Sequence, residues 1–322
     1  MNVSRLKSLS TKILDKNNTH LDRSNLLTET TNPKSENLDE LTTNELVELF
    51  SKEDLEPQKA VANCATEITQ AIDEIVIRLK KGGKLFYIGA GTSGRIGVLD
   101  ASECSPTFCV PRDLVQGIIA GGYKSLYESS EELEDDNQLP IEELQHRNFN
   151  SNDCLLGISA GGTTPFVHSA LTYAKTLNSL TIFISCVPYT QVSKSADVDI
   201  RLLTGPELIS GSTRLKAGTA TKMALNTISS SVMIKLGKVY KNQMVDVCAT
   251  NLKLVDRSLR IINNLIDLGR QEAALLLEKS EGSVKVALLM YLANINIEEA
   301  KQSLAANNDN LRQALLIYEK KN

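Results

Sequence analysis

Five short apolar runs constrain this chain more than any other feature: KLFYIGA (84–90), LVQGIIA (114–120), CLLGISA (154–160), LTIFISC (180–186) and VDIRLL (198–203). They contain β-branched residues, are too short for stable helices, and end near a Gly, Ser or Thr cluster. Helical patterns fill most of the intervals. Parallel strands need crossover connections, so the alternation predicts an α/β fold, a doubly wound parallel sheet with helices on both faces.

Around that sheet the chain divides by composition. Residues 1–56 are polar, with Asn, Thr and Ser clusters and a helical stretch TTNELVELFSKED, and predict an N-terminal helical arm. The sheet domain is expected over 57–240, opening with one amphipathic helix from Pro57 to Lys81 that Gly82-Gly83 stops. From Ser212 to about Leu268 the pattern is helical, beginning with STRLKAGTATKMALNTISSSVMIKLG, a long helix of small residues. Residues 241–268 are expected as a connecting helix. A small helical bundle follows over 269–322, with Asn296 and Asn310 as N-caps.

Bulk properties exclude several functions. A net charge of −4 leaves no polyanion footprint, so no nucleic-acid partner is expected. Aromatics are 4% with no Trp, which weighs against ring-stacking platforms. The N-terminus, MNVSRLKSLSTKILDKNN, lacks the apolar core of a secretory signal, and no apolar run could span a bilayer; no membrane association is expected. The six cysteines (64, 104, 109, 154, 186, 248) form no C-x-x-C pair and read as reduced thiols of a cytoplasmic protein. Cys104 reads as a buried filler in preference to a nucleophile. The three histidines (20, 146, 168) lack ligand spacing, so no metal is expected.

The chemistry concentrates where strands end. Gly89, Gly91 and Gly94 spell G-x-G-x-x-G at the close of the first run, a turn that aims backbone N–H groups and a helix N-terminus at an anion. A dinucleotide would also need an acid at the end of the next strand, and that strand ends in Ile119-Ala120. Thr92 and Ser93 instead supply hydroxyls, which suit a phosphate monoester or a sugar. The alternative is a tight turn with no ligand. A second loop, GISAGGTTPF, offers Ser159, Thr163 and Thr164. A third, GPELISGSTRLKAGT, offers Glu207, Ser212 and Lys216, with Glu207 reading equally as a substrate contact or as a helix-start cap. One such loop could be a capped turn; three at one sheet edge point to a ligand.

These loops resemble the sugar isomerase (SIS) family of phosphosugar-binding folds, which implies a flavodoxin-like sandwich. More narrowly, LFYIGAGTSGRIGVLDASECSPTF, GSTRLKAGTATK, GKVYKNQMVDVCATNLKL and the arm's LLTETTNPKSENLDELTTNELVELFSKED resemble the N-acetylmuramic acid 6-phosphate etherases. The resemblance runs from about residue 26 into the C-terminal bundle. It implies cleavage of the lactyl ether of that sugar phosphate to N-acetylglucosamine 6-phosphate and D-lactate, with no cofactor. It also implies Glu103, in DASEC, as the acid and Glu134 as the base, with Gly91, Thr92, Ser93, Ser159, Thr163, Thr164, Glu207, Ser212 and Lys216 around the substrate. The second loop departs from the family's pattern, with Gly161 and Thr163 where Ser and Arg are usual. Without the resemblance, the acidic stretch around Glu134 would read as a solvated face.

A geometric tension accompanies these roles. An unbroken helix would separate Ser93 from Glu103 by about 15 Å. Either the helix breaks early or Glu103 serves a site completed by a second subunit, and a homodimer with composite sites is the expectation. Two other functions share the loops: a phosphosugar isomerase, for which DASEC and a ring-opening His are the discriminating features, and a non-catalytic sugar-phosphate sensor resembling the glucokinase regulatory protein, which would need neither Glu103 nor Glu134.

Overall fold

The structure, a computed structural model, describes residues 23–128, 133–247 and 252–319. Strands β1 (Leu85–Gly89), β2 (Val115–Ile119), β3 (Cys154–Ile158), β4 (Leu180–Ser185) and β5 (Val198–Arg201) form one sheet in the order β2-β1-β3-β4-β5. Every neighbouring pair is parallel. This is the doubly wound sheet that the alternating runs predict. Strand order reverses between β1 and β3, which opens a crevice at the carboxyl ends. Gly89 pairs with both Ile119 and Ile158, so β1, β2 and β3 end level there.

Successive strand residues face opposite sides, and both sides are buried. Leu85 and Tyr87 join one core with helices α2 (Glu56–Asn63), α3 (Ala65–Lys80), α4 (Gly91–Phe108) and α7 (Lys216–Lys235). Phe86 and Ile88 join a second core with α5 (Leu139–His146) and α6 (Pro165–Thr176). A fully buried Phe166 or Leu171 contributes about 1.5–3 kcal/mol to this packing. Helix α7 buries Ala217, Gly218, Ala220 and Ala224, and these small residues let it lie close to α4.

Two expectations are corrected. The single helix over 57–81 is two, broken at Cys64 (φ −100°, ψ 19°), whose thiol donates to the Arg201 carbonyl at 3.1 Å. The helical run after Ser212 is interrupted as well. Gly237, at φ 78°, follows α7, and an antiparallel hairpin forms from β6 (Val239–Tyr240) and β7 (Gln243–Met244). Helix α8 (Leu252–Leu265) then packs in one core with α9 (Arg270–Lys279), α10 (Val284–Ala293), α11 (Ile297–Ala306) and α12 (Leu311–Glu319). Asn296 and Asn310 cap α11 and α12 by accepting the Glu299 and Gln313 N–H groups. Buried Lys285 ties this region together, with Nζ 2.8 Å from both Asp246 and Asp309 carboxylates.

In the arm, residues 23–42 hold two short 3₁₀ helices, Pro33–Ser35 and Leu38–Glu40, before α1 (Thr43–Glu53), which Thr42 and Glu45 open with a capping box. The N-terminal stretch read for a secretory signal lies outside the described residues, as do Glu131, Glu132 and Cys248. Among the described residues no helix is long and apolar enough to cross a membrane.

Candidate active site

The three loops meet in a ring at the carboxyl edge of the sheet. At the first, the glycines are needed for contact distance. A Cβ on Gly94 would lie 2.6 Å from the Gly89 carbonyl oxygen, and one on Gly89 would lie 2.8 Å from the Gly94 nitrogen. Gly91 has φ 51°, and its open side is occupied by Glu134, whose Oε1 would be 3.2 Å from a Cβ there. The carboxylate therefore rests at the N-terminus of α4, where the helix dipole favours an anion. Thr92 turns its methyl towards α7, 3.4 Å from where a Cβ on Gly218 would stand.

At the second loop, buried Ser159 shares a 2.8 Å hydrogen bond with the Thr164 hydroxyl, and Pro165 opens α6. Gly162 turns at φ 73°, and its carbonyl is 2.7 Å from His168 Nε2, so His168 pins the loop. The Glu134 carbonyl accepts the Phe166 N–H at 3.0 Å and joins the first loop to the second. The hydroxyls of Ser93, Thr163 and Ser212 make no hydrogen bond among the described residues and stay available.

At the third loop the structure forms the helix-start cap that the sequence offered for Glu207 beside substrate binding. Buried Glu207 accepts the Lys216 and Ala217 N–H groups, each at 2.9 Å, and so caps α7; burial pushes its carboxyl above the ordinary range. Lys216 Nζ is also spoken for, 2.7 Å from Glu53 of the arm. Glu53 further takes Lys34 at 2.6 Å and Asn32 at 3.2 Å. The arm then closes the ring. Leu27 N–H donates to Gln191, the Gln191 amide donates back to the Asn25 carbonyl, and Asn32 donates to the Pro206 carbonyl. Thr28 lies over Gly161 and Glu29 over Gly211.

Glu103 is not part of this ring. Helix α4 is unbroken from Gly91 to Phe108, so the early break is excluded and Glu103 stands about 15 Å along the axis from Ser93. It is exposed, in a cleft of about 1390 Å³ that Arg112, Arg147, Lys253 and Arg257 also line. Sequence reasoning missed Asp100, one turn before it. Asp100 is buried and accepts from the Tyr87 hydroxyl (3.0 Å), Asn226 (2.6 Å) and Ser229 (3.1 Å), which fixes α4 to β1 and α7. The sequence does not distinguish the two acids of DASEC, which stand three residues apart; burial does, with Asp100 buried and Glu103 exposed.

The cysteines divide. Cys64, Cys104, Cys154 and Cys186 are free and buried. Burial, with the Asp100 charge, pushes the Cys104 thiol up to about 12, as a filler requires and a nucleophile does not. Cys109, at the left-handed C-cap of α4 and on the rim of the Glu103 cleft, is disulfide-bonded, which corrects the expectation of reduced thiols at that residue. Among the described residues no group of three or more His, Cys, Asp or Glu could hold a metal ion.

Comparison with known proteins places this geometry in context. Residues 67–175 match the family model of the glucokinase regulatory protein N-terminal SIS domain. The chain is 58% identical over 294 residues to an N-acetylmuramic acid 6-phosphate etherase of Prochlorococcus marinus, covering 91% of this chain and 93% of the relative. It is 56% identical to the N-acetylmuramic acid 6-phosphate etherase of Gloeothece citriformis, covering 91% and 96%. Among solved structures, the phosphoheptose isomerase of Neisseria gonorrhoeae overlays with a TM-score of 0.44 at 16% identity, covering 59% of this chain and 98% of that one.

Proposed function

The chain belongs to the N-acetylmuramic acid 6-phosphate etherase family, and we propose that it cleaves the D-lactyl ether of that substrate by elimination followed by addition of water. The open-chain aldehyde acidifies the C2 hydrogen. Glu134 removes it as base, and the lactyl oxygen leaves C3 with a proton from Glu103. Water, deprotonated by Glu103, then adds to C3 of the unsaturated aldehyde, and C2 is reprotonated. The products are N-acetylglucosamine 6-phosphate and D-lactate, and the sequence of steps needs no cofactor.

The observation that carries this reading is the seat of Glu134 against Gly91, inside the ring of loops. A carboxylate there repels a phosphate. The second loop, GISAGGTTPF, carries no acid and presents Ser159, Thr163, Thr164 and the N-terminus of α6, so the phosphate is assigned to it. The C2 base then faces the sugar from the first loop, with Gly91, Thr92 and Ser93. Ser212 lines the third loop, while Glu207 and Lys216 shape that loop through the cap and the Glu53 contact.

Glu103 requires a second copy. In a cytoplasmic homodimer with composite sites, the ring of one subunit meets the Glu103 cleft of the other. The cations around Glu103 suit a substrate with two anionic groups, a phosphate and a lactyl carboxylate. The test is release of D-lactate from N-acetylmuramic acid 6-phosphate in ¹⁸O-labelled water. Elimination puts the label on C3 of the sugar and none in lactate, and Glu103→Ala or Glu134→Ala abolishes release. Label in lactate would refute elimination. Tight binding of the sugar phosphate with no turnover would favour a sensor.

A further inference from the structure

We propose that Glu29 is a specificity-determining residue, whose carboxylate accepts hydrogen bonds from the hydroxyl or amide groups of the bound sugar. The inference rests on the etherase reading and deepens it by giving the sugar, as distinct from its phosphate, a contact on the arm.

The backbone that carries Glu29 is held in place, while its side chain is not used by the fold. Its Oε2 lies so close to the third loop that a Cβ on Gly211 would be 2.9 Å away, and Gly211 turns at φ 74°. Around it the arm is fully tied. Leu27 donates to Gln191, the Thr30 hydroxyl donates to the Leu27 carbonyl, and Asn32 donates to Glu53 and Pro206. Glu29 itself is exposed, and its side chain has no hydrogen bond or ion pair among the described residues. A carboxylate carried on a tied backbone, with all its acceptor sites open, can accept hydrogen bonds from donors on a ligand.

The adjacent residue supports the same reading. Thr28 is 1% exposed, and its Oγ1 is buried with no partner among the described residues. That atom is 3.6 Å from the position a Cβ on Gly161 would take, so it is aimed at the second loop. Unpaired buried hydroxyls are costly and uncommon in native interiors. The arm thus presents two unengaged polar groups, one to each loop it bridges. Charge decides what they meet. Glu134 occupies the first loop and Glu29 the third, whereas the second carries no acid. Phosphate goes to the second loop, and Glu29 is left facing the neutral, donor-rich part of the ligand.

Calorimetry on the full chain tests this with two probes, N-acetylglucosamine 6-phosphate and inorganic phosphate. Glu29→Gln should weaken the sugar phosphate about tenfold or more, the scale of a hydrogen bond to a charged group. Inorganic phosphate should bind as well as before or better, and the thermal midpoint should stay at the wild-type value. Glu29→Asp, which keeps the charge, should recover part of the loss. Equal losses for both probes with a lower midpoint would make Glu29 structural and overturn the inference. So would wild-type affinity for the sugar phosphate in Glu29→Gln. A wild-type chain that neither releases D-lactate nor binds the sugar phosphate would overturn the etherase reading itself, a result distinct from both.

Discussion

Replacing Glu53 by Gln should cost the folded chain about 3 kcal/mol at neutral pH and almost nothing near pH 2. Burial alone would disfavour the Glu53 charge. Hydrogen bonds from Lys216, Lys34 and Asn32, with the Lys216 charge, outweigh it and hold the carboxyl at about 2 against an ordinary 4.5. A fall of about 2.5 in pKa corresponds to about 3 kcal/mol. Lys34 is 63% exposed and solvent screens its share, so the contact with buried Lys216 supplies most of this. Losing one partner of a buried pair independently costs about 3–5 kcal/mol. The sign follows from the depressed pKa. The stabilisation is complete above pH 4.5 and is lost as pH falls towards 2, so wild type and variant converge across that window. Urea unfolding followed by far-UV circular dichroism suits a chain with no Trp. A difference below about 1 kcal/mol at pH 7, or one that persists undiminished to pH 2, would refute the argument.

Three further outcomes are expected. Native Cys104, Cys154 and Cys186, each pushed up to about 12 by burial, should resist iodoacetamide at pH 8 and react only after unfolding; rapid native labelling would contradict their seats in the core. Gly161→Ser has room, with Thr28 Oγ1 at 3.6 Å and Leu26 Cδ1 at 3.8 Å from the new Cβ, and brings a hydroxyl to the unpaired one. It should stabilise the chain by about 1 kcal/mol, and a lower melting temperature would show that Thr28 needs no partner. If the proposed homodimer holds, mixing the Glu103→Ala and Glu134→Ala chains under subunit exchange should restore about a quarter of wild-type lactate release, since half of such dimers would hold one intact composite site. Failure to complement would return both glutamates to a single subunit.

The strands were legible because a parallel sheet is buried on both faces, so each strand appears as a short unbroken apolar run. The hairpin at Val239–Met244 was not, because strands of two residues carry no period. The break at Cys64 has no Gly or Pro to announce it, and its carbonyl partner is 137 residues away. At the site, residue types were readable but partners were not. Glu207 and Lys216 stand among the hydroxyls of the third loop, yet one caps α7 and the other answers Glu53, which is 163 residues earlier in the chain. The arm's part in the ring was hidden for the same reason, since sequence patterns report local periodicity and the contacts of Thr28 and Glu29 are far from local.

Closure of the ring by the arm also sets an order of events during synthesis. Asn25 and Leu27 need Gln191, and Glu53 needs Lys216, so none of these contacts exists until most of the chain has been made. At ordinary elongation rates the wait is on the order of ten seconds or more. Until then the arm is a tether without a dock, and the carboxyl edge of the sheet is uncovered. Completion of the ring is therefore a late, long-range step, and a chain truncated before α7 would hold the glycine turn and the arm's Gln191 contacts but lack the Lys216 that anchors Glu53.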